Sequence, residues 1–85
     1  MDDLSDLKSK AVRGLTEIRE AILALIGSHS EGLRNSDVAR ELGLQTHVNG
    51  GQRNHLTHAI LADLTRDGVI RREKRGFQVY YVVEE

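Results

Sequence analysis

Two short stretches carry the side chains best suited to chemistry. In GGQRNHLTHAILADLTRDG, residues 50–68, the polar residues Gln52, Arg53, Asn54, Thr57 and His58 crowd the leading end of a helix expected over about 52–67. That helix is expected to show them on the face opposite Leu56, Ile60 and Leu64. Arginine fits the acceptor pair of guanine, and asparagine or glutamine fits the donor and acceptor of adenine. The free N–H groups at a helix start also favour a phosphate. No Asp or Glu occurs between residues 45 and 62, whereas a helix selected only for solubility usually mixes both signs. The competing reading is an ordinary solvated helix start.

The second stretch is a cationic hairpin. Arg71, Arg72, Lys74 and Arg75 surround a turn ending in Gly76, with Gln78 just beyond. Side chains alternate along a strand, so at most one of Arg71 and Arg72 serves the same contact as the tip. Lys74 and Arg75 are placed to reach backbone phosphates or a minor groove, contacts that fix position more than they read sequence. A charged hairpin that resists edge-to-edge pairing is the alternative.

Other chemistries find little support. His55 and His58 are three apart on the expected helix and His47 precedes them, but no cysteine or helix-spaced carboxylate completes a zinc set. There is no nucleophile elbow and no glycine-rich phosphate loop, and Gly50-Gly51 is too short to count as one. The expectation is no catalytic residue, no metal and no cofactor.

The elements that would position these side chains follow from periodicity. Leu4, Leu7, Ala11, Leu15, Ile18, Ile22 and Leu25 recur at helical spacing, with Asp2 or Asp3 as cap and Gly27 as stop. Gly14 interrupts the pattern, which leaves one bent helix or two helices. From Thr16 onward the stripe reads as core. The earlier turns either fold back on that core or pair with a second copy, and the near-heptad leucine spacing favours pairing. After the connector GSHSEGLR comes a short helix, NSDVARELG, capped by Asn35 or Ser36 and stopped by Gly43. LQTHVNGGQ reads as a loop. Leu56, Ile60, Leu61 and Leu64 form the apolar face of the next helix, which Gly68 ends. Val69 and Ile70 begin a strand, and FQVYYVV returns with Phe77, Val79, Tyr81 and Val83 on one face.

With 85 residues and no cysteine, the chain reads as one small domain without disulfides. The longest apolar run, AILALI, is too short to span a bilayer. No charged-then-apolar signal opens the chain, so a cytoplasmic location is expected. The net charge of −1 hides an asymmetry. Residues 1–33 hold four Lys/Arg against six Asp/Glu, and residues 34–76 hold eight against five.

The order helix, helix, helix, hairpin, with the signatures SDVARELGL (36–44) and ILADLTRDGVIRRE, resembles the winged-helix branch of helix-turn-helix DNA-binding domains. The resemblance covers about residues 16–83. In the second signature Leu61, Leu64, Gly68, Val69 and Ile70 match the passage from recognition helix to wing. It implies a mainly α fold with a small β-hairpin: a winged helix over 16–85 with an N-terminal helical arm over 1–15. It also implies double-stranded DNA as partner, contacted by Gln52, Arg53, Asn54, Thr57 and His58 from the recognition helix and by Arg72, Lys74 and Arg75 from the wing at about 69–83. The expected role is a small transcriptional regulator, a homodimer through the N-terminal helix, with no membrane partner. The alternatives are a target-recognition module or accessory of a nuclease or restriction-modification system, and a winged helix that binds protein instead of nucleic acid. One departure is the link after Gly43, longer than in a minimal helix-turn-helix.

Overall fold

The structure, a computed structural model, describes residues 3–48, 51–52 and 54–84. In chain order it contains α1 (Leu4–Gly27), α2 (Asn35–Leu42), β1 (His47–Val48), β2 (Gly51–Gln52), α3 (His55–Arg66), β3 (Ile70–Arg75) and β4 (Gln78–Val83). The chain is thus mostly helical with an antiparallel hairpin, β3 pairing with β4 from Ile70↔Val83 to Arg75↔Gln78. Two expectations are corrected. The segment read as a loop contains a second, minimal antiparallel pair, with His47 opposite Gln52 and Val48 opposite Gly51. That ladder takes Gln52 out of the helix, so α3 starts at His55 and not at 52.

A single 24-residue helix answers the question posed by Gly14. Asp3 is the cap, its Oδ1 accepting the Asp6 N–H at 2.9 Å. Gly27 lies inside the last turn, and Ser28 caps the end. Only the second half of α1 reaches the core: Ile22 and Ile26 are buried and Ile18 packs partly against them. Leu4, Leu7, Val12 and Leu15 remain between 47% and 67% exposed. The leading turns therefore do not fold back. The radius of gyration, 14.3 Å, agrees, since a compact chain of this length would have about 12 Å.

The core joins those isoleucines to Leu33, Val38 and Ala39, to Ile60, Leu61 and Leu64 of α3, and to Ile70 and Tyr81 of the hairpin. Each large side chain taken fully out of water there contributes roughly 1.5–3 kcal/mol. Leu56 is not among them. At 40% exposure it lies at the edge of the buried arc, and Thr57 takes the place facing inward. Phe77 also departs from expectation: it sits in the turn, fully exposed, while Val79, Tyr81 and Val83 do share the inner face.

The connector between α1 and α2 runs close against β4. Leu33 N–H donates to the Tyr81 carbonyl at 3.0 Å and Tyr81 N–H returns a bond to Leu33 at 2.7 Å, a one-residue bridge on the outer edge of β4. Gly32 makes that approach feasible. Its φ is +89°, and a Cβ there would lie 3.0 Å from the Tyr81 carbonyl oxygen and 3.1 Å from Val82 Cγ2. Gly14 is the opposite case, with nothing within 4 Å of such a Cβ. Urea unfolding should separate the two. Gly14→Ala should stabilise the fold by about 0.5–1 kcal/mol, and Gly32→Ala should destabilise it by roughly 1–3 kcal/mol.

Candidate nucleic-acid interface

The start of α3 is set by a partly buried polar network. Asn54, the residue before the helix, has φ +51°, a left-handed conformation that asparagine tolerates better than most side chains. Its Oδ1 accepts the Thr46 N–H at 3.3 Å, and Thr46 Oγ1 accepts the first helical N–H, that of His55, at 3.1 Å. Thr57 Oγ1 donates to Asn35 Oδ1 at 2.6 Å, and Asn35 Nδ2 donates to the Asn54 carbonyl at 3.3 Å. No buried side-chain N or O atom among the described residues lacks a partner. This closure lets a fully buried threonine sit where an aliphatic side chain would otherwise be required.

The same network overturns part of the expected surface. Thr57 is 0% and Asn54 6% exposed, so neither is available to a partner, and both act by holding α3 against α2. Gln52 belongs to the β1–β2 ladder. Arg53 lies outside the described residues. His58 is exposed as expected, and the open side of α3 also presents His55, Leu56, Ala59 and Ala62. Sequence reasoning placed Leu56 inside and Thr57 outside because both stand at helical spacing from Ile60 and Leu61. Only the partner Asn35, 22 residues upstream, decides between them.

A second polar cluster sits at the start of α2. Asp37 is 8% exposed. Its carboxylate accepts the Arg34 backbone N–H at 3.1 Å, the Arg34 guanidinium at 3.0 Å on each oxygen, and Arg40 Nη2 at 3.1 Å. The cap is Arg34, ahead of the expected Asn35 or Ser36. The Arg34 guanidinium holds the Asp37 carboxyl down at about 2, well below the usual carboxylate value. Arg34 Nη1 also donates to Gln78 Oε1 at 3.4 Å. Through Arg34 and Asn35, the start of α2 thus touches both the turn end of the hairpin and the start of α3. Those three features occupy one end of the molecule.

The hairpin cations divide by strand face. Directly opposed residues share a side, so Arg72, opposite Tyr81, and Lys74, opposite Val79, extend on the inner face toward α3. Arg71 and Arg75 extend on the outer face. There Arg71 pairs with Glu84 at 3.0 Å, and Arg75 is bound to Glu73 with its guanidinium 4.4 Å above the Tyr80 ring. Arg66 pairs with Asp63 at 2.7 Å. Among the described residues of this half, Arg72 and Lys74 are the cations without a carboxylate partner. Arg72 lines a groove of about 390 Å³ with His58, Ala62, Thr65, Arg66 and Tyr81. Lys74 and Arg75, expected together at the tip, are therefore split: Lys74 is free on the groove side and Arg75 is committed on the far side. Arg34 was missed in the sequence because its contact with Gln78 spans distant parts of the chain.

No group of three or more His, Asp or Glu among the described residues is arranged to hold a metal ion. No helix there is long and apolar enough to cross a membrane. No protein-family model, curated protein or solved structure matches the chain.

Two measurements probe this architecture. Thr57→Val keeps the shape and removes the hydroxyl, leaving the half-buried Asn35 Oδ1 without its donor, so stability should fall by about 0.5–1.5 kcal/mol in denaturant titration. Asp37 has a folded pKa below its unfolded value. Its contribution is therefore complete above about pH 4 and is lost as pH falls through about 2. With allowance for screening by solvent it is worth roughly 1–2 kcal/mol. The stability gap between wild type and Asp37→Asn should be widest near neutral pH and close between pH 4 and 2.

Proposed function

We propose that this chain is a winged-helix domain that binds double-stranded DNA. In narrower terms, it is a small transcriptional regulator working as a homodimer. The observation that carries the reading is the inner face of the hairpin: unpaired Arg72 and Lys74 turned toward the open side of α3, with Arg72 and His58 on one groove. Supporting it, the Leu33 bridge adds a third strand position to the hairpin, and α2 and α3 start at the same end as the turn. A duplex at that end would meet the start of α3 in its major groove, with the wing on the flanking backbone. Ala59 and Ala62 allow close approach, and their methyl groups suit the thymine methyl.

Dimerisation rests on the projecting arm. Leu4, Leu7 and Leu15, with Val12, form an uncovered apolar side on α1. It continues into a shallow, mainly apolar groove lined by Gly14, Ile18, Ala21, Leu42 and Leu44, with Glu17 at its side. A second copy brings the same stripe, so a two-fold pairing covers both at once. Leu7→Asp combined with Leu15→Asp should halve the mass measured by sedimentation while the unfolding midpoint of the domain stays in place.

Duplex binding should be strongly salt dependent. For about four to six phosphate contacts, log affinity should fall with log salt at a slope near −4 to −5. Arg72→Ala and Lys74→Ala should each reduce the slope by about one. Arg75→Ala should change it less, because its guanidinium is held by Glu73 and Tyr80. A flat salt response, or no duplex binding at low salt, would favour a protein-binding role.

A further inference from the structure

We propose that Phe77 is a wedge: in a bound duplex its ring enters the minor groove at a base step, partly unstacks it and bends the DNA. The inference rests on the duplex-binding reading above. Phe77 is the only phenylalanine in the chain and is fully exposed at the apex of the hairpin. It occupies the second central position of a two-residue turn between the paired residues Arg75 and Gln78. Gly76, the first central residue, has φ +63°, and Phe77 is not in the positive-φ region. This is the arrangement in which glycine first satisfies the backbone and the second residue is left unconstrained. The turn gives no reason for a phenylalanine.

Neither does the core. Strand alternation would place residue 77 on the side of Val79 and Tyr81, but the chain reverses before the ring can reach it. Exposing a large aromatic ring at a hairpin tip promotes association. The fold gains no stability in return. What surrounds the ring points to a polyanion. Lys74 is unpaired three residues back, and Arg72 lies further along the same inner face. On the outer face Arg75 is drawn back over Tyr80 by Glu73, which leaves the apex to the ring. Apolar wedges at base steps cost unstacking energy, which phosphate contacts by neighbouring cations offset. Here ring and cations share one narrow hairpin. A protein pocket for the same ring would have to bury or match those cations as well.

The test uses the full chain and short mixed-sequence duplexes containing a TA step, which kinks easily. One strand carries 2-aminopurine at the step, and the ends carry a fluorescent donor–acceptor pair. The chain has no tryptophan to interfere. Wild type should brighten the 2-aminopurine and bend the duplex by about 20° or more. Phe77→Ala should remove both signals, while affinity changes by less than about tenfold and the salt slope, set by the cations, is kept. Phe77→Leu, still an apolar wedge, should retain most of the bend. Phe77 has no packing role, so equal unfolding midpoints should confirm that the variants fold. Steep salt-dependent binding by wild type with no bend and no 2-aminopurine response would overturn the wedge and leave the binding reading standing. So would a Phe77→Ala variant that bends DNA as well as wild type. Absence of any duplex binding by wild type at low salt would overturn both.

Discussion

The orientation of α3 depends on a hydroxyl–amide contact at the margin of an otherwise apolar core. Thr57 Oγ1 reaches Asn35 Oδ1 at 2.6 Å, and the same asparagine holds the Asn54 carbonyl through its Nδ2. Apolar packing of Ile60, Leu61 and Leu64 keeps the helix on the core but is tolerant of small rotations about its axis. A hydrogen bond from the buried Thr57 to the half-buried Asn35 is not, because poor alignment weakens it steeply. The contact therefore fixes which residues of α3 face outward. His55, Leu56, His58, Ala59 and Ala62 are exposed as a consequence of where Thr57 is held.

The arrangement extends outward from that contact in both directions. Thr46 Oγ1 accepts the first N–H of α3, that of His55, and so ties the helix start to the segment before it. Arg34, next to Asn35, spans from Asp37 to Gln78 and ties the start of α2 to the turn end of the hairpin. One dipeptide, Arg34-Asn35, thus couples the two regions singled out as the sites of chemistry. The Leu33 bridge and the close approach at Gly32 hold that dipeptide against β4. Perturbing the connector would move both regions at once.

Much of the fold was legible in the sequence because local rules agree with the tertiary structure. The helical stripe through Ile18, Ile22 and Leu25, the stops at Gly43 and Gly68, and the inward set Val79, Tyr81 and Val83 all follow from periodicity and turn chemistry. The failures have separate physical causes. Asn54 and Thr57 look like surface residues, since polar side chains seldom bury, and their burial depends on Asn35, far away in sequence. Phe77 was assigned by strand parity, which ends wherever the turn begins. The β1–β2 pair was missed because strands of two residues leave no alternation to read in LQTHVNGGQ.

The distribution of ion pairs explains how a chain of net charge −1 can present a cationic face. The carboxylates Asp37, Asp63, Glu73 and Glu84 are each matched to arginines beside them, Arg34 and Arg40, Arg66, Arg75, and Arg71. Such pairs are close to neutral at distances beyond the Debye length, about 8 Å at physiological salt. What remains unneutralised on the hairpin is Arg72 and Lys74, both on the side toward α3. Net charge and total arginine count therefore say little about the potential near the groove. Strand parity determines it, because Glu73 lies between Arg72 and Lys74 in sequence but on the opposite side of the hairpin.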